Sequence, residues 1–197
     1  MPRQEVKTCS FLAALAAFAW LMPAASVCAK EVDEAKALRV KAAYLYNFAK
    51  FIEWPDNAFD DEKAPLVIGI LGDDPFGTIL DSTVKAKNVA KHPVKIRRLR
   101  WNKREDRAAL KDCHILFISR SEQSRLDKIL AALKEHPVLV VSGIRDFARD
   151  GGMVGFVLEK GRIAFEINRE ALEKAKLKAS SRLLKLARIV EPRRRPT

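Results

Sequence analysis

Leu66-Val67-Ile68-Gly69-Ile70-Leu71 carries no polar side chain at any position, and two later runs, Ile115 to Ile118 and Val138 to Val141, read the same way. A strand with one face in water alternates apolar and polar residues, whereas a strand hidden on both faces does not. The three runs therefore predict the middle of a mainly parallel sheet. Helix-like segments lie between them, from Pro75 to about Val84, from Ser121 to Leu133 and, more weakly, from Lys103 to Leu110. Val94 to Leu99 alternates apolar with basic residues and suits an edge strand. Strands and helices in this alternation imply an α/β fold, a central sheet flanked by helices and joined by right-handed crossovers.

Upstream, Leu38, Ala42, Leu45, Ala49 and Ile52 recur at helical spacing and predict a helix from about Asp33 to Trp54. Tyr44, Phe48 and Phe51 form a second stripe beside the first, so the later half of the helix is apolar over a wide arc and must be covered. Pro55 is expected to end it, since the residue before a proline is driven out of helical geometry. A polar linker, Asp56 to Ala64, follows. Downstream, Met153 to Leu158 and Arg162 to Ile167 predict a C-terminal antiparallel hairpin around Glu159, Lys160 and Gly161. Asn168 is placed to cap a terminal helix through Leu172 and Ala175, and Ser180 or Ser181 to cap another carrying Leu183, Leu184 and Leu186. Residues 191–197, with Arg193, Arg194 and Arg195 between two prolines, read as a loose basic tail.

The chain has 197 residues, 37 Lys and Arg against 25 Asp and Glu, a formal charge of +12 and 48% hydrophobic residues. Such a composition excludes a disordered chain and a multi-span membrane protein. The apolar residues are unevenly spread, because Thr8 to Ala29 holds no charge and follows Arg3 and Lys7. A basic start, an apolar run from Phe11 to Met22, a break at Pro23 and the small residues before Lys30 predict a signal peptide cleaved after Ala29. The run is too short and broken for a retained membrane anchor. Ala25-Ser26-Val27 before Cys28 lacks the residues a lipoprotein signal needs. One domain, residues 30–190, and the tail would remain, with charge +11 and Cys113 as the single thiol. No internal disulfide is then expected.

Catalytic motifs are not found. Gly72-Asp73-Asp74-Pro75-Phe76-Gly77-Thr78 has the glycine spacing of a phosphate loop, but Thr78 stands where a lysine is required and Asp73 and Asp74 would repel an anion. Ser142 lacks the flanking glycines of a nucleophile elbow. His92 and His136 each precede a proline and read as surface punctuation, and adjacent Cys113 and His114 would point to opposite faces of a strand. The acidic pairs Asp60-Asp61 and Asp73-Asp74, with Asp146 and Asp150, suit turns and caps. No metal, cofactor or enzymatic activity is expected. The cations are read as scattered among acids, so the charge suits an anionic membrane surface or an acidic protein better than nucleic acid. One ligand site follows from topology alone. Gly72, Asp73, Ser119, Ser121, Ser142 and Gly143 fall at the carboxyl ends of the predicted parallel strands, where open α/β sheets bind ligands; loop residues there equally serve only to turn the chain.

The blocks Val40-Lys-Ala-Ala-Tyr-Leu-Tyr-Asn-Phe-Ala-Lys-Phe-Ile-Glu-Trp-Pro55, Leu71-Gly-Asp-Asp-Pro-Phe-Gly77, Cys113-His-Ile-Leu-Phe-Ile-Ser119, Gly151-Gly-Met153, Phe165-Glu-Ile-Asn168 and Ser180-Ser-Arg-Leu-Leu-Lys-Leu-Ala187 resemble the YfiR family of exported bacterial proteins. The resemblance implies an α/β fold and a non-enzymatic periplasmic regulator. The family's founding member binds the periplasmic sensor domain of an inner-membrane diguanylate cyclase and represses it, holding down cyclic di-GMP and biofilm formation. That member carries disulfides, whereas Cys113 here has no partner, so a redox switch within the chain is not implied. The partner expected from the resemblance is an inner-membrane cyclase or another membrane sensor. Tyr44, Phe48, Phe51 and Trp54 are the candidates for an interface with that partner or with a second copy of the chain, since aromatics dominate interface energies; the competing reading places all four in the core. The functional alternative is an exported small-molecule binding module serving a sensor kinase or transporter through the crevice.

Overall fold

In the computed structural model, residues 24–193 are described, with side chains from Asp33 onward. The expected apolar leader run from Phe11 to Met22 and its break at Pro23 lie outside those residues, as do Arg194 and Arg195. The chain divides into two units, residues 1–35 and 36–197. Among the described residues the first contains only helical backbone; the second holds every strand.

In chain order the elements are α1 (Ala24–Phe51), β1 (Ile52–Glu53), β2 (Leu66–Leu71), α2 (Thr78–Val84), β3 (Asn88–Val89), β4 (His92–Leu99), α3 (Arg104–Ala109), β5 (Ile115–Ile118), α4 (Leu126–Leu133), β6 (Leu139–Ser142), β7 (Val154–Glu159), β8 (Arg162–Asn168), α5 (Arg169–Lys174), β9 (Lys178–Ala179), α6 (Ser181–Leu186) and β10 (Arg188–Val190). The main sheet has eight strands in the order β10-β8-β7-β6-β5-β2-β4-β3. From β4 through β2, β5 and β6 to β7 every pairing is parallel. The β7–β8 hairpin is antiparallel, and β10 returns parallel to β8. The three all-apolar runs sit in the middle of the order, buried on every residue of β2, β5 and β6.

Register fixes the two faces, because paired residues point the same way and neighbours along a strand point oppositely. Ile70, Phe117, Val141, Val154, Phe156, Phe165 and Ile167 share one face. There α1 meets Phe156 and Phe165 through Tyr44 and Phe48, and Phe76, just before α2, meets Phe117. Gly69, Leu116, Val140 and Glu166 face the other side, where the Cys113 thiol beneath α3 donates to Ala109 O at 3.5 Å. A Cβ on Gly69 would stand 2.6 Å from Cys113 Sγ, so only glycine admits the sulfur there.

Several boundaries differ from the sequence reading. The helix ends at Phe51, not Trp54, because Ile52 and Glu53 pair antiparallel with Ala179 and Lys178; sheet pairing acts before Pro55. Helix α2 starts at Thr78 because Asp74 Oδ1 accepts from Phe76 N–H at 2.8 Å and closes a turn over Pro75. Residues Arg120–Arg125 form a 310 turn before α4. The hairpin turn is two residues long, since Glu159 pairs with Arg162; Lys160 and Gly161 both have positive φ, 48° and 75°, as a type I′ turn demands. The predicted caps are present: Asn168 Oδ1 accepts from Ala171 N–H at 3.0 Å and Ser180 Oγ from Leu183 N–H at 3.3 Å. In the tail, Arg193 donates to Asp146 at 2.8 Å and its backbone N–H to Arg149 O at 2.8 Å.

Candidate functional site

Three regions compete as the working surface. The first is the aromatic stripe of α1. Tyr44 and Phe48, one turn apart, each approach Phe165 edge-on at 5.1 Å and Phe156 at 6.1 and 6.0 Å. Phe48 is wholly buried in this four-ring cluster. It thus belongs to the core and is withdrawn from the expected interface; the hairpin, not a partner, covers it. Tyr44, Phe51 and Trp54 are half-buried and keep an open edge. Trp54 Nε1 is buried without a hydrogen-bond partner. Helical periodicity missed Tyr46, whose hydroxyl donates to Asn88 O at 3.3 Å while Lys50 and Lys87 lie 4.4 and 4.6 Å from its ring centroid.

The second is the polar crevice. The fold brings its residues to the carboxyl ends of the neighbouring strands β2, β5 and β6, and there they hold one another. Ser142, fully buried, donates to Ile118 O at 2.8 Å and accepts from Ile144 N–H at 3.1 Å. Ser121 Oγ accepts from Asp73 N–H at 3.0 Å and would lie 2.5 Å from a Cβ on Gly72, whose φ is +92°. Ser119 N–H donates to Leu71 O at 2.9 Å. Gly143 faces the Lys41 ammonium, 3.8 Å from where its Cβ would stand. Asp73 is exposed with Arg100 at 3.7 Å. Beside it Asp74 and Asp81 grip the Arg98 guanidinium at 2.7 Å each, and Arg98 also donates to Gly77 O at 3.1 Å. Bonds to Asp81 and then Asp74 raise the guanidinium above its ordinary pKa. The apparent phosphate loop is therefore an Arg-stapled turn.

The third region had no sequence signal. Phe59, a single aromatic in the polar linker, is stacked between His92 at 3.9 Å and His114 at 4.2 Å, with interplanar angles of 14° and 25°. Both histidines hold that linker's backbone: His92 Nδ1 lies 2.7 Å from Ala64 O and His114 Nε2 3.0 Å from Ala58 O. His114 Nδ1 accepts from Val67 N–H at 3.1 Å. His92 is thus more than surface punctuation. The stack borders a cavity of about 450 Å³ at the amino ends of β2, β5 and β6, whose walls include Asp60, Arg97, Lys111, Asp112 and His136. Cys113 lies at this end too, buried, its thiol pushed up to about 12 by desolvation. Such a thiol carries almost no thiolate at neutral pH and is inert. Among the described residues no group of three His, Cys, Asp or Glu side chains is placed to hold a metal ion.

A family model described as YfiR/HmsC-like matches residues 38–188, from the first buried turn of α1 into β10. The chain belongs to the YfiR/HmsC-like family. Family members are of a regulatory, non-catalytic type and periplasmic. Among curated proteins none matches this YfiR/HmsC-like chain. No helix among the described residues is long and apolar enough to cross a membrane.

Proposed function

We propose that this YfiR/HmsC-like protein is a non-enzymatic periplasmic regulator, exported with a cleaved signal peptide, that binds and represses an inner-membrane diguanylate cyclase and thereby limits cyclic di-GMP and biofilm formation. The observation that carries the reading is the family match over residues 38–188, which takes in seven of the eight strands of the main sheet and the first residue of β10. The partly exposed edges of Tyr44, Phe51 and Trp54 support a protein-binding role, since partly wet aromatic edges are typical anchors of interfaces. Deleting the gene is expected to raise cyclic di-GMP, and the purified protein to bind the periplasmic domain of a cyclase encoded beside it. Phe51→Ser and Trp54→Ser should weaken that binding without a matching fall in melting temperature. Unchanged cyclic di-GMP in the deletion strain, together with no binding to the cyclase domain, overturns the proposal.

The alternative, a small-molecule module, has one observation in its favour, and it lies at the end of the sheet opposite the predicted crevice. The cavity beside Phe59 offers an aromatic wall and charged rim groups of both signs. Ligand-dependent rise in melting temperature that is lost in Phe59→Ala would favour that reading.

A further inference from the structure

The last stretch of the chain is rich in cations. From Arg169 to Arg193 there are eight Lys and Arg against three Glu, and Arg194 and Arg195 follow in the sequence. Four of the eight are engaged: Arg169 with Glu173, Lys174 with Glu170, Arg188 with Glu166, and Arg193 with Asp146 and Asp150. The others, Lys176, Lys178, Arg182 and Lys185, are exposed and have no ion pair among the described residues. Helix α6 sorts them further. Leu183 points into the core, whereas Arg182, Lys185 and Leu186 fall at i, i+3 and i+4 on one exposed face. Leu186 is 72% exposed and Ile189, on the edge strand β10, 46%. Leu186 shares its face with Arg182 and Lys185, whereas Ile189, paired with Ile167, points to the sheet face opposite Arg188.

We infer that the exposed face of α6 is a docking surface for an anionic phospholipid bilayer. Charge complementarity chooses the occupant class, and the apolar residue chooses among anionic surfaces. A protein interface of useful affinity closes over a contiguous, well-packed apolar centre. Here the apolar group is a single aliphatic tip, Leu186, standing beside Arg182 and Lys185, which suits ammonium and guanidinium groups at headgroup level with the leucine reaching the acyl boundary. Attraction of about 1 kcal/mol for each cation near an anionic membrane, together with one shallow aliphatic insertion, gives reversible attachment. Docking of this kind holds the protein at the membrane whether or not the partner there is a cyclase.

Sedimentation with vesicles of phosphatidylglycerol and phosphatidylethanolamine tests it, against vesicles in which phosphatidylcholine replaces the anionic lipid. The full protein should bind the anionic vesicles at 50 mM salt, lose most binding by 300 mM, and ignore the neutral ones. Arg182→Glu with Lys185→Glu should weaken partitioning roughly 30-fold or more, and Leu186→Ser severalfold. Neither change touches a buried group, and circular dichroism checks the fold. The same charge change at Lys95 and Lys103, exposed toward the other edge of the sheet, should cost less than threefold. Absence of binding to anionic vesicles, equal binding to neutral ones, or equal losses from the two charge reversals overturns the inference. The first result together with retention on an acidic protein column would reassign the face to a protein partner.

Discussion

His114 allows one substitution and one titration to test the same geometry. Its ring accepts from Val67 N–H at Nδ1 and meets Ala58 O from Nε2, an arrangement that fits the neutral tautomer protonated at Nε2. Burial holds the imidazole pKa below its ordinary value, with nearby His92 adding to the effect, while the Ala58 carbonyl and Asp60 oppose it. The unfolded chain therefore takes up a proton near pH 6.5 that the native ring still refuses. Stability from this group is complete above that pH and declines as pH falls from about 6.5 toward the lower native value, by at most about 1.4 kcal/mol per pH unit. His114→Phe keeps a ring against Phe59 but removes the titration and both polar contacts. The Val67 N–H, buried at the start of β2, is left without a partner, which costs about 1–3 kcal/mol at pH 7.5. That corresponds to a melting temperature lower by several degrees in a domain of this size. Urea unfolding at pH 7.5, 6.5 and 5.5 reads the difference, with Trp54, 6.1 Å from the His114 ring, as the fluorescent reporter. Parent and variant should draw closer by up to about 1.4 kcal/mol as pH falls from 6.5 to 5.5. A gap that stays constant or widens refutes the neutral buried ring, and equal stability at pH 7.5 refutes its role as acceptor for Val67.

Gly152→Ala would set a methyl group 2.2–2.6 Å from three atoms of the buried Phe147 ring, so a loss of about 1–3 kcal/mol is expected in thermal unfolding, partly recovered by Phe147→Leu. Asn168 joins two elements, accepting from Ala171 N–H and donating to Ala148 O at 2.9 Å. Asn168→Ala loses both bonds, so it should be less stable than the parent by about 1–3 kcal/mol in thermal unfolding, with faster amide exchange in the first turn of α5. Cys113 should stay unmodified by a thiol reagent at pH 8 in the native protein and react in denaturant, as mapped by mass spectrometry; rapid native labelling would contradict its burial and raised pKa.

What could be read without coordinates was whatever the sheet imposes on the chain. β2 and β5 are legible to the residue because both their faces are buried and nothing polar interrupts them. The core positions Leu45, Ala49 and Ile52 follow from helical spacing. Periodicity cannot tell Phe48 from Tyr44 or Phe51, because the distinction depends on Phe156 and Phe165, more than a hundred residues away. Strand β10 escapes because three residues after a short helix carry too little pattern, and β1 because two residues that continue a helical spacing turn to pair with β9 instead. The crevice residues lie at the carboxyl ends of β2, β5 and β6, as topology implies, but whether their hydroxyls were free depended on Ile118 O, Asp73 N–H and Ile144 N–H, backbone atoms with no sequence signature. The histidine stack is illegible for the same reason: its partners are the carbonyls of Ala58 and Ala64.

The blocks that carry the family resemblance resolve into structural work. Asp74 closes a turn and shares the Arg98 fork; Gly152 makes room for Phe147; Glu166, almost fully buried, meets Arg188 and Arg149; Asn168 and Ser180 cap helices; His114 bridges β2 to the linker. A buried carboxylate between two arginines and a buried amide with both ends bonded are costly to disturb, since each loss strands a polar group away from water. Such residues identify a fold without disclosing what its surface does. Function in a chain of this kind has to be sought at the surface: at the open edges of Tyr44, Phe51 and Trp54, at the cavity beside Phe59, and on the cationic face of α6. The first and last of these make different demands on a binding experiment. An aromatic anchor loses binding on truncation at any salt, while a cationic face loses it on charge reversal and on added salt. Measuring the membrane-associated protein at two salt concentrations, with Trp54→Ser and Arg182→Glu side by side, therefore separates the protein contact from the lipid contact even if both operate together.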